Sequence, residues 1–200
     1  MRLRLIAWLI ICAMAIPAFA AAADRRLQPG EVLEGRFVQE KLLHGFTRPI
    51  KSEGRFSFIP GKSLIWEVTS PFSMKLTMTE DRVVATVSGK EMTRLPLSQM
   101  PVVLQLRRVL TASLAGDWDG LKNEFGITPS GTSEAWQFVV DLTDKSEVIP
   151  VKTFLVIGSK FVDRIEIARK NGDRETIVFD GQATRPVDEV GSPGEPRTSE

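Results

Sequence analysis

The chain has 200 residues, 26 Lys and Arg against 25 Asp and Glu, a formal charge of +1 and 42% apolar residues. That balance and the lack of a basic patch exclude nucleic acid as a partner. The single cysteine excludes a disulfide framework and leaves little for soft-metal chemistry.

Arg2 and Arg4, the apolar run Leu5 to Ile16 and the small residues Ala18 and Ala20 have the form of a secretory signal peptide, with cleavage after Ala20. The run is shorter than the roughly 20 apolar residues that cross a bilayer. Cys12 lies inside it behind Ile11, which is wrong for lipidation, so it leaves with the signal. The mature chain then keeps about 180 residues, suited to one domain, with a formal charge of about −1. The expected division is signal peptide 1–20, one domain over 21–185 and a disordered tail over 186–200, rich in Pro, Gly, Ser and Glu. The implied compartment is the periplasm.

Arg25 to Val32 is a weak helix candidate, broken by Pro29-Gly30. Beyond it, period-two alternation marks strands with one dry face. Phe56 and Phe58 share a face; so do Leu64, Trp66 and Val68; so do Met74, Leu76 and Met78. Trp136 to Val140, Phe154 to Ile157, Ile165 to Ile167 and Thr176 to Phe179 read as further strands. Turn residues at 79–82, 88–90, 129–132 and 171–173 punctuate them as antiparallel hairpins. One helix is expected from Ser98, a cap, to Gly116, with Val103, Leu104, Leu106, Val109, Leu110 and Leu114 in its apolar stripe.

Nine or ten strands with a dry face and one helix to cover them leave a surplus of apolar surface. Either the sheet closes on itself and these residues are core, or it curves and leaves an apolar hollow. Met74, Met78, Met92 and Met100 are spread over the surplus, and methionine adapts to varied apolar shapes.

Catalysis finds no support. His44 stands alone in a loop, without a nucleophile or second ligand beside it. No phosphate loop or Gly-x-Ser-x-Gly elbow occurs. Asp117-Trp118-Asp119-Gly120 lacks the further ligands of a calcium loop and reads as a solvated turn. Glu40, Glu53 and Glu67 face water. No enzyme activity, metal or cofactor is expected.

Phe37-x-Gln39, the strand containing Gly54, the Pro60 turn, Leu64-x-Trp66 and Pro71 occur in that order, followed by a hairpin, a helix with Asp117-Trp118 and closing hairpins. Over residues 32 to 182 this order resembles the periplasmic outer-membrane lipoprotein carriers, the LolA-like proteins. The resemblance implies a mainly β fold with α: an incomplete, strongly curved antiparallel β-barrel closed by one or more helices around an apolar cavity. It implies carriage of the acyl chains of a lipoprotein or lipid, from an inner-membrane donor transporter to an outer-membrane acceptor, by a monomer. The candidate lining is Phe37, Phe56, Phe58, Leu64, Trp66, Met74, Leu76, Met78, Trp136, Phe138 and Phe154, with Val103, Leu106 and Leu110 as cover. Family members place a basic lid latch before Leu-x-Trp; here Lys62 is the nearby cation. The N-terminal helix is also shorter than theirs, which points to a divergent branch of the kind linked with glycolipid or polyene-lipid export. The alternative is a non-catalytic interaction or sensor module of the envelope with a related half-barrel, whose concave face binds a protein segment.

Overall fold

In the computed structural model, residues 26–99, 101–132, 134–143 and 150–189 are described. The signal peptide expected over 1–20 lies outside them.

The strands are β1 (Glu31–Leu42), β2 (Ile50–Ile59), β3 (Ser63–Ser70), β4 (Met74–Thr79), β5 (Arg82–Val87), β6 (Lys90–Pro96), β7 (Ser130–Gly131), β8 (Trp136–Asp141), β9 (Val151–Gly158), β10 (Val162–Arg169) and β11 (Arg174–Pro186). They form one antiparallel sheet in the order β6-β5-β4-β3-β2-β1-β11-β10-β9-β8-β7. The sheet is strongly curved and not closed. The chain is therefore a meander broken once: the first strand pairs with the last, and the connection between the two edge strands, β6 and β7, carries both helices, α1 (Pro101–Ala115) and α2 (Trp118–Phe125). Val109, Leu114 and Leu121 of that connection join the same core as the strands. None of the described helices is long and apolar enough to cross a membrane.

Several expectations need correction. Arg25 to Val32 is not helical where it is described; β1 begins at Glu31. Val32 and Leu33 are fully buried in a strand that pairs with β11 on one side and β2 on the other, so tertiary pairing overrides the weak local preference. The single long helix is instead a 3-10 turn over Leu97–Gln99 followed by α1, with Pro101 at its first position, where a missing N–H costs nothing. Asp117-Trp118-Asp119-Gly120 is not a solvated turn but the start of α2: Asp117 is its cap and accepts the Gly120 N–H at 3.2 Å. The strand count is eleven among the described residues. Of the expected tail, Pro186 closes β11 and Val187–Glu189 form a 3-10 turn; 190–200 lie outside the described residues.

Gly54 shows how the curvature is packed. It faces Phe37 across the β1–β2 pair, and a Cβ built there would lie 2.1 Å from the Glu67 carbonyl oxygen and 2.6 Å from Cζ of Phe37. The absent side chain is the space the Phe37 ring occupies. Gly54→Ala is expected to cost about 2 kcal/mol in a urea titration, because a backbone carbonyl cannot move aside as a side-chain end can.

At one end of the sheet the β1–β2 loop is tied to the β10–β11 turn. Asp173, nearly buried, accepts the His44 backbone N–H at 2.8 Å and a bond from the Asn171 amide at 3.0 Å. These bonds, the His44 one foremost, hold the Asp173 carboxyl below its ordinary value of 3.8. A depressed carboxylate stabilises the fold above its ordinary pKa and loses that contribution as pH falls through the lower folded value. Asp173→Asn removes this pH-dependent contribution, so the variant should be less stable than the parent near pH 7 and lose less stability on acidification, a flatter acid limb read by circular dichroism.

Candidate functional site: the concave face of the sheet

The register places the candidate lining residues in rows that run across neighbouring strands on the concave face. Phe58, Leu64, Met78, Val83 and Leu95 form one row through β2 to β6. Phe56, Trp66, Leu76 and Ala85 form the next, ending opposite Thr93. Phe37, Gly54, Val68, Met74 and Val87 form a third. In each row the residues on β1 to β3 are buried, and cover falls away towards β6: Met74 and Val87 are each 39% exposed, and Leu95 38%.

The buried part is filled by its own rings. Phe37 stacks on Trp66 with centroids 3.9 Å apart; Phe179 meets Phe56 edge-on at 5.2 Å and Trp66 at 5.9 Å. Sequence reading placed Phe179 only in a strand, yet its pairing with Phe37 carries it into this cluster. Trp136 and Phe138 make a second cluster with Trp118, whose ring lies 4.6 Å from that of Trp136. The Trp136 indole N–H donates to the Ser159 carbonyl at 2.7 Å, so its polar tip is satisfied. Gly158 makes room for it: a Cβ there would fall 2.1 Å from the Trp136 ring. Phe154 is buried on β9, opposite Val140 of β8.

The structure thus brings together Phe37, Phe56, Phe58, Leu64, Trp66 and Met78 around one core, and Trp136 and Phe138 beside α2 within the same apolar cluster. Leu76 and Leu110 are half-buried against that cluster. Val103 and Leu106 lie on α1, but their side chains fall outside the described residues. Lys62 is exposed in the β2–β3 turn.

A hollow of about 670 Å³ lies beside that turn, between the N-terminal stretch, Phe58, Pro60 and the C-terminal half of α1. Of the candidate lining, only Phe58 reaches it. Its walls carry charge. Arg26 pairs with Asp117 at 2.9 Å and Arg108 with Glu124 at 2.5 Å, and the Leu27 N–H donates to the Ala115 carbonyl at 2.9 Å. The hollow thus combines apolar walls, among them Leu27, Phe58 and Ala112, with paired charges. Among the described residues no cluster of His, Cys, Asp or Glu is arranged to hold a metal ion.

The fold resembles several solved structures. A LolA superfamily protein from Nitrosomonas europaea covers 86% of this chain and 94% of its own, at 12% identity and a TM-score of 0.46. The MucA/MucB complex of Pseudomonas aeruginosa covers 87% of this chain and 60% of that one, at 12% identity and a TM-score of 0.41. The lipoprotein LppX of Mycobacterium tuberculosis covers 84% of this chain and 96% of its own length, at 8% identity and a TM-score of 0.38. No curated protein matches the chain in sequence. The family model described as outer membrane lipoprotein carrier protein LolA-like matches residues 20–192, nearly the whole chain, and the chain belongs to that family.

Proposed function

We propose that the protein is a periplasmic carrier that shelters the acyl chains of a lipoprotein or lipid on its concave face and passes them towards the outer membrane. The observation that carries this reading is the uncovered margin of the apolar rows. Beyond Val68 and Trp66 the rows continue through Met74, Leu76 and Val87 without the cover the rest receive. Apolar surface continuous with a core but left open is where an apolar guest gains free energy. Each buried methylene is worth about 0.8 kcal/mol, so a sixteen-carbon chain is worth on the order of 12 kcal/mol. Such a chain moves between an inner-membrane donor and an outer-membrane acceptor only by direct handover between similar surfaces, without passing through water. The signal-like N-terminus supports the compartment, and family membership supports the class of cargo.

The test is an organic extract of protein isolated from the periplasm, read by mass spectrometry, together with uptake of a fluorescent fatty acid. Recovered acyl lipid and saturable uptake are expected; ligand-free protein that takes up no fatty acid overturns the reading.

The exposed edge strand β6 favours a second reading, in which an extended partner segment pairs with the sheet. Lys90, Arg94 and Pro96 on that edge weigh against it, since charge and proline blunt strand addition. A photo-crosslinker at Leu76 separates the two, trapping lipid in one case and peptide in the other.

A further inference from the structure

The two ends of the curved sheet differ in what they expose. One carries the β2–β3 turn, the Leu97–Gln99 turn and the charged hollow beside α1. The opposite end carries the β1–β2 loop, the β3–β4 turn, the β5–β6 turn and the β10–β11 turn. There Phe46 stands 66% exposed in the β1–β2 loop and Phe72 80% exposed in the β3–β4 turn, with Ile50 also exposed at the start of β2. Single exposed apolar residues are ordinary, but two phenylalanines at the tips of separate turns on one end are not scattered.

The charges at that end add a second, independent feature. Arg48, Lys90 and Arg174 are exposed there. The carboxylates are largely engaged: Asp173 and Glu175 are buried, Glu175 with Arg169 at 3.1 Å, and Glu53 and Glu91 pair with Lys51 and Arg94. Glu40 and Asp141 are exposed at the same end, so among the described residues the balance is positive without being uniform.

We propose that this end docks on the surface of an anionic phospholipid bilayer, with Phe46 and Phe72 entering the headgroup region and the cations facing lipid phosphates. Aromatic tips flanked by cations suit an interface that is apolar at depth and anionic at its surface. Turns at separate points need no shape-matched partner, which favours a fluid surface over a protein groove. The position also has a use. Met74, the exposed start of the uncovered margin, follows Phe72 by two residues, and Val87 opposite it opens into the β5–β6 turn. A bilayer held by these turns would lie at the mouth of the uncovered face. The docking goes beyond the carrier reading and does not depend on it: a protein that binds no acyl chain would still attach.

The test is flotation of the isolated protein with vesicles of phosphatidylglycerol and phosphatidylethanolamine, against vesicles of phosphatidylcholine alone. Attachment to the anionic vesicles is expected, weakened about tenfold in Phe46→Ser/Phe72→Ser and weakened also by salt. Both rings are exposed already, so the melting temperature and fatty-acid uptake of that variant should match the parent. Arg48→Glu/Lys90→Glu, which leaves both rings in place, should also weaken attachment to anionic vesicles. The proposal is overturned if the parent does not float with anionic vesicles, if the ring variant floats as well as the parent, or if attachment requires envelope proteins in the vesicle.

Discussion

Trp66→Ala is expected to destabilise the fold by about 3–5 kcal/mol, the largest single effect in the molecule. The ring lies at the centre of three aromatic contacts: stacked on Phe37 at 3.9 Å, edge-on to Phe179 at 5.9 Å and tilted to Phe56 at 6.2 Å. These partners come from β1, β2 and β11, so the ring ties the first hairpin to the last strand as well as to its own. Removing it forfeits the transfer free energy of a large side chain, and leaves a gap that strands on three sides cannot close without breaking register. Trp66→Phe keeps a stacking partner for Phe37 and should recover more than half of the loss. Urea denaturation followed by far-ultraviolet circular dichroism reads both. A loss below about 1 kcal/mol for the alanine variant would mean that the rings do not pack as a solid core.

That variant bears on a question the sequence leaves open. Period-two patterning finds the dry faces of β2, β3 and β4 and assigns Phe56, Phe58, Leu64, Trp66, Val68 and Met78 to one side, where the structure buries them. It does not distinguish core from hollow, because an apolar side chain facing inwards has the same period whether a neighbouring ring or a guest covers it. The decisive features are non-local. Phe37 reaches Trp66 only because Gly54 is empty beside it, and Phe179 arrives from the far end of the chain through pairing of β11 with β1. A glycine in a strand marks a bulge or a close approach, but the sequence does not reveal what approaches it.

The helices illustrate a different limit. α1 shows its apolar stripe over fifteen residues, enough to read a period. α2 has eight residues, two turns, and only Leu121 among its side chains is buried, so periodicity has almost nothing to register. Its signals were punctuation rather than pattern: Asp117 as cap and Gly126 at the far end, whose N–H donates to the Lys122 carbonyl at 2.9 Å. Arg25 to Val32 failed in the opposite sense, since a weak local preference gave way to pairing on both edges of β1. The lining candidates at Val103 and Leu106 rest on the helix stripe alone, and the latch at Lys62 on resemblance alone.

Leu76→Glu is expected to lower fatty-acid affinity about a hundredfold while leaving the fold cooperative. Leu76 stands at the boundary between the two parts of the concave face. Trp66 on one side of it in the row is buried, Ala85 on the other is half-buried, and Thr93 beyond is exposed. A carboxylate there can turn towards the open margin and stay hydrated in the free protein, so the stability cost should be modest, about 1–2 kcal/mol. A guest chain laid along Met74, Leu76 and Val87 would strip that hydration, and an unpaired charge against hydrocarbon costs several kcal/mol, far more than the methylene contacts it replaces. Leu76→Met, which keeps volume and apolar character, should bind as the parent does. Titration with a fluorescent fatty acid, with unfolding measured on the same samples, separates the two effects. Undiminished affinity in the glutamate variant would place any guest away from this margin and remove the observation on which the carrier reading stands.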